Sequence, residues 1–220
     1  MVPPGDDTGY RESRMRLKAS FHNMTGGVIR MGVQVLTVPV LIRLIGLEEY
    51  GLWVLVSAMV GVVFLVEGGL STTTTVYLSR DLTEKNSSAV AETLTVVFGS
   101  MLCLATLAAA VLGLGADFAN RFFDKLQPAQ IEAAIRALQL SAVVIWARLL
   151  QQVFVGVEQA FQRFGWMNVV TTLQQVLINL GMLAIAALGG RIVAFMKWQA
   201  LVGLTTLCIH VILALWLLRH

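Results

Sequence analysis

Charge is scarce in this chain. Asp, Glu, Lys and Arg make up 13% of its 220 residues, against about 25% in a typical soluble domain. A chain so poor in charge cannot clothe a soluble globule, so most of its surface must face something other than water. The net charge of +3 is too small and too scattered for a nucleic-acid footprint. Cysteine is also rare: Cys103 and Cys208 each sit in an apolar run. They have neither metal-ligand spacing nor a secreted disulfide pattern, and read as small apolar side chains in helices. The opening MVPPGDDTGYRESRMRLKAS has no apolar core, which excludes a cleavable signal there. GxxxxGK[ST] and HExxH motifs are missing, as is a carboxylate cluster that would hold a metal at a membrane interface. Neither a built-in ATPase nor an enzyme is expected. The alternation of a transmembrane strand is missing too.

What the chain has is long hydrophobic runs, with 57% of residues apolar. A helix needs about 20 such residues to cross a bilayer core. Six runs qualify: 23–45, 50–79, 90–114, 131–157, 165–188 and 192–218. The expected fold class is therefore an all-α integral membrane protein, with a six-helix region over 21–220 and a tail over 1–20. The tail reads as disordered to Tyr10 and then basic, through Arg11, Arg14, Arg16 and Lys18, which suits anionic headgroups. Between the third and fourth runs, Phe118, Phe122 and Phe123 suit an interfacial helix, and Pro128 suits a first helical position. Glu48 and Glu49 read as solvated turn residues, and Gly189-Gly190 as a tight turn.

Lys and Arg set the expected orientation. With the N-terminus inside, Arg11, Arg14, Arg16, Lys18, Arg80, Lys85, Arg163 and Arg219 fall inside, while Arg43, Arg121, Lys125 and Arg191 fall outside. The bias places both termini in the cytoplasm.

Polar residues within the runs follow helical spacing, so that they share faces. The first run carries Asn23, Gly27, Arg30, Gln34 and Thr37, and Pro39 predicts a kink. The second carries Glu67, Ser71 and Thr74 beside Gly68-Gly69; the third Glu92, Thr95, Gly99 and Thr106. The fifth carries Asn168, Thr172, Gln175 and Asn179, and the sixth Gln199, Gly203, Thr206 and His210. Arg148 falls near the middle of the fourth run, with Gln152 and Ser141 on its face. A cation at that depth costs about 2.5–3.5 kcal/mol on insertion scales and calls for a partner or a cavity. Two readings stand: a structural pair, for instance with Glu67, or an anion-binding or gating cation in a hydrated cavity. Arg30, Arg136 and Lys197 lie nearer the ends of their runs, where snorkelling also accounts for them.

The segment PVLIRLIGLEEYGLWVLVSAMVGVVFLVEGGLSTTTTVYLSRDL (39–82) resembles the first two helices of polysaccharide exporters. These are the O-antigen and related lipid-linked oligosaccharide flippases of the multidrug/oligosaccharidyl-lipid/polysaccharide superfamily. The residues that carry the resemblance are Pro39, Arg43, Gly46, Glu48 or Glu49, Tyr50, Gly51, Glu67, Gly69 and Leu70. Glu67 stands where family members commonly have aspartate, and Gly68 where the family is apolar. VFVGVEQAFQRFGWMNVVTTLQQVLINLG (153–181) is similar to the family's junction between fourth and fifth helices, through Gly156, Gln159 and Asn168.

The resemblance implies a MATE-like fold of two six-helix lobes around a cavity, of which this chain would supply the N-terminal one, either as a partial sequence or as a half-transporter that pairs. It further implies alternating access in the cytoplasmic (inner) membrane and export of undecaprenyl-pyrophosphate-linked oligosaccharide for lipopolysaccharide assembly. Expected cavity residues are Arg30, Gln34, Arg148, Gln152, Asn168, Thr172, Gln175, Asn179 and Lys197, with Glu67 and Arg136 as gating or ion-pair residues. No cofactor or metal is expected; a coupling ion would be H+ or Na+. Expected partners are the lipid-linked oligosaccharide, membrane lipid and a second six-helix lobe, and no nucleic acid. A small-cation or drug exporter of the same superfamily, and a non-transporting scaffold or transferase subunit, remain as alternatives.

Overall fold

The computed structural model describes residues 27–67, 70–117 and 127–219, with backbone alone at 62–67 and 70–71. These residues form α1 (Gly27–Ile45), α2 (Leu47–Glu67), α3 (Leu70–Thr83), α4 (Ser87–Gly115), α5 (Pro128–Ala160), α6 (Phe164–Ala187) and α7 (Ile192–Arg219). The basic tail, Asn23, the aromatics at 118, 122 and 123, and the side chains of Glu67 and Ser71 lie outside the described residues.

Five helices, α1 and α4 to α7, are long and apolar enough to cross a membrane. Apolar side chains such as Met31, Leu36, Val96, Leu107, Val111, Leu201 and Ile212 are exposed. Meanwhile Gln151, Glu158, Asn168, Gln174, Asn179 and His210 are buried. Water would not tolerate so much exposed apolar surface, whereas lipid does, and lipid forces polar groups inward. The chain is an all-helical, multi-pass membrane protein.

The second expected span, 50–79, is covered by α2 and α3, and Gly68-Gly69 between them lie outside the described residues. With 21 residues, α2 alone is about 31 Å long, close to a bilayer core. α5 is longer than expected at both ends. Pro128 does open it, and the Gln130 side chain accepts from the Gln127 backbone N–H at 3.0 Å.

The described turns, α1–α2, α3–α4, α5–α6 and α6–α7, are short. Glu49, near the start of α2, accepts from the Ile192 backbone N–H at 3.3 Å and faces Arg191 at 3.8 Å. This carboxylate is therefore not a solvated turn residue: its side chain is 11% exposed and caps the N-terminus of α7, where negative charge is favoured. The contact places the α1–α2 and α6–α7 turns at one end of the bundle. The α3–α4 and α5–α6 turns lie at the other end, where Leu78, Val157 and Ala214 cluster beside Val90 and Phe161. Three turns share one device. Lys85, Gln162 and Gly189 adopt φ of 51°, 56° and 80°, and the next N–H bonds five residues back, as in Arg163 to the Glu158 carbonyl at 2.9 Å.

α5 is the central post. Its small residues Ala134, Ala137 and Ala147 are buried in the main core with Met101 and Ala105 of α4, Val56 of α2 and Met196 of α7. Small side chains let helices approach closely where no hydrophobic drive assists. Between α6 and α7 the approach is closer still: a Cβ on Gly181 would run into the Trp198 indole, which donates to the Leu177 carbonyl at 3.0 Å. Gly181→Ala is expected to cost about 1–3 kcal/mol by overpacking. The check is the thermal unfolding midpoint in detergent beside Gly165→Ala, where a Cβ meets nothing within 4 Å.

Candidate functional site

A cavity of about 230 Å³ opens among α1, α2, α5, α6 and α7. The polar side chains on its wall are Gln34 and Thr37 of α1, Tyr50 and Ser57 of α2, Ser141 and Arg148 of α5, Gln175 and Asn179 of α6, and Gln199 of α7. Leu41, Trp53, Ile178, Met182 and Met196 supply the apolar part. Arg148 is the charged side chain on the wall, and no carboxylate lines it among the described residues. Arg148 is exposed within the chain, Gln175 half-buried and Asn179 buried. The Asn179 amide donates to the Gln175 carbonyl at 2.8 Å, which fixes it against the helix.

The expected residues divide into three groups. Gln34, Arg148, Gln175 and Asn179 meet in the cavity. Arg30 lies beside it, donating to the hydroxyls of Thr171 at 3.2 Å and Thr172 at 3.5 Å, so the α1 and α6 stripes face each other. Asn168 is buried farther along α6. The remainder lie elsewhere. Gln152 is half-buried and off the cavity wall, and Lys197 is exposed and also off it. Arg136 bonds Glu132 of its own helix at 2.6 Å, with both side chains over 60% exposed, a pair worth about 0–1 kcal/mol. Glu67, as a side chain, lies outside the described residues.

The α4 stripe does not serve the cavity, and of the stripe through Glu67, Ser71 and Thr74 only the Thr74 side chain is among the described residues. Glu92, Thr95, Gly99 and Thr106 are all exposed on the outer face of α4, and Thr95 bonds the Ala91 carbonyl at 2.7 Å. A threonine satisfied by its own helix needs no polar neighbour. Thr74 is fully buried against α5, 3.2 Å from where a Cβ on Gly156 would stand.

Helical spacing alone missed a polar knot beneath the cavity. Gln151 and Gln174 exchange two side-chain hydrogen bonds of 3.0 and 3.2 Å, and the Thr206 hydroxyl donates to Gln151 Oε1 at 3.4 Å. This joins α5, α6 and α7. Gln151→Leu is expected to cost about 1–3 kcal/mol by stranding the buried Gln174 amide. The double change with Gln174→Leu is expected to cost less than the single one, as read by a double-mutant cycle of unfolding free energies. A second buried contact was also missed: His210 Nδ1 lies 2.7 Å from Glu158 Oε1, with side chains 0% and 1% exposed. The expected helix end at Val157 put Glu158 in a loop, whereas α5 continues to Ala160.

No protein-family model matches the chain, and no curated protein or solved structure matches it either.

Proposed function

We propose that the chain forms one lobe of a transporter that moves an undecaprenyl-pyrophosphate-linked oligosaccharide across the cytoplasmic membrane by alternating access. In this reading α2 and α3 together make the second of six crossings, and both termini are cytoplasmic, as the Lys/Arg bias indicates. The observation that carries the reading is the cavity wall: an arginine near the middle of a long membrane helix, amides and hydroxyls around it, and no carboxylate among the described residues. Arginine pairs bidentately with phosphate oxygens, and amides and hydroxyls replace the water lost by sugars. The sequence resemblance to polysaccharide exporters points to the same cargo.

Size supports a second lobe. About 230 Å³ is below the ~300–1,000 Å³ that encloses a drug-sized ligand. It suits one phosphate group or sugar ring, so a facing lobe would complete the site. A cation exporter would need a carboxylate on this wall; among the described residues none lines it, and the buried Glu158 lies in a different pocket. The test is the reconstituted protein, together with its second lobe, in vesicles carrying the lipid-linked oligosaccharide. Movement of the sugar between leaflets supports the proposal; its absence with correctly inserted protein overturns it.

A further inference from the structure

Glu158 and His210 form a buried contact that the cargo cavity does not use. Glu158 Oε1 and His210 Nδ1 are 2.7 Å apart. The other two polar atoms, Glu158 Oε2 and His210 Nε2, are buried without a hydrogen-bond partner among the described residues. Burial of two such atoms is costly, and a carboxylate and an imidazole side by side can share one proton. Glu158 also lines a pocket of about 260 Å³ with Arg163, Trp166, Leu213, Trp216 and Leu217, at the α5–α6 turn. The pair therefore sits between the packed interior and an opening at one end of the bundle.

We infer that Glu158 and His210 are a proton-binding site, entered from the α5–α6 turn end through this pocket and coupled to the cavity by the α5–α7 interface. With one shared proton the pair is neutral, whichever atom holds it. Losing that proton to water in the pocket leaves one negative charge inside; gaining a second leaves one positive charge. Both states are costly in an apolar interior, so exchange requires α7 to move from α5 and admit water. The same two helices carry the Gln151–Thr206 contact, and the cavity residues Arg148 and Gln199 beyond it. A movement that releases the proton thus displaces the cavity wall. In the pocket beside Glu158, α6 contributes Trp166 and the charged neighbour is Arg163, while Leu78 of α3 packs on the adjacent Val157 and Ala214. The coupling rests on the transport reading, whereas the proton binding does not.

The test is infrared difference spectroscopy of the full chain in phospholipid vesicles as the buffer is stepped from acidic to alkaline. The wild type is expected to show a titrating signal from a buried carboxyl. E158Q should lose it, and H210Q should keep it with its midpoint displaced, because the neighbouring imidazole is gone. If E158Q does not fold, H210Q alone decides. A wild-type signal unchanged in E158Q, or a midpoint unmoved in H210Q, overturns the proton site. These spectra need no transport, so failure of the transport reading leaves them interpretable. In a chain that does transport, indifference of the rate to a pH gradient overturns the coupling alone.

Discussion

Arg148→Ala is expected to slow transport of the lipid-linked oligosaccharide about 10- to 100-fold at unchanged protein level, the equivalent of a charge-assisted hydrogen bond of about 1.5–3 kcal/mol. Arg148 is the charged side chain on the cavity wall, in a helix long enough to cross the membrane with residues to spare. Arg148→Lys keeps the charge but loses the planar fork that grips two phosphate oxygens at once, so it should recover part of the rate. Arg136→Ala is the control. Its guanidinium is solvent-exposed and held by Glu132 of the same helix, and the rate should not change. Wild-type transport by Arg148→Ala would remove Arg148 from the mechanism.

Glu158→Leu is expected to destabilise the bundle by about 1–3 kcal/mol, because it leaves the His210 imidazole buried without its hydrogen-bond partner. The double variant Glu158→Leu with His210→Leu is expected to recover most of that loss. Two well-packed apolar side chains avoid the desolvation that a buried polar pair requires. Denaturation in mixed micelles reads both. If the double variant is as unstable as the single one, the pair is there to hold the fold. Recovery would mean that folding alone does not account for these residues, and leaves proton binding as their role.

Apart from the start of the first, which lies outside the described residues, the expected helices outside 50–79 agree with the structure within three residues, because long apolar runs determine helices in lipid almost by themselves. The site was half legible. Gln34, Arg148, Gln175 and Asn179 share a cavity because stripes on α1, α5 and α6 converge. Spacing says which residues share a face and not what that face meets, so the α4 stripe, with the same pattern, points outward. It also chose Gln152 over its neighbour Gln151, although Gln151 is the one bonded to Gln174. A one-residue step turns a helix by about 100°, and only the packing of α6 and α7 shows which side is inside. Glu158 and His210 are 52 residues apart, and no local pattern pairs them.

The central claim is a water-filled, anion-binding cavity. Its most direct test uses single cysteines in a chain with Cys103 and Cys208 replaced by serine, exposed to a membrane-impermeant thiol reagent. Gln34→Cys, Ser57→Cys and Gln175→Cys, on the cavity wall, should react, and inorganic pyrophosphate should slow that reaction unless Arg148 is also changed to Ala. Gln151→Cys and Gln174→Cys, in the buried knot, should stay unreacted. Uniform protection at all five positions, or labelling indifferent to pyrophosphate, would contradict the account.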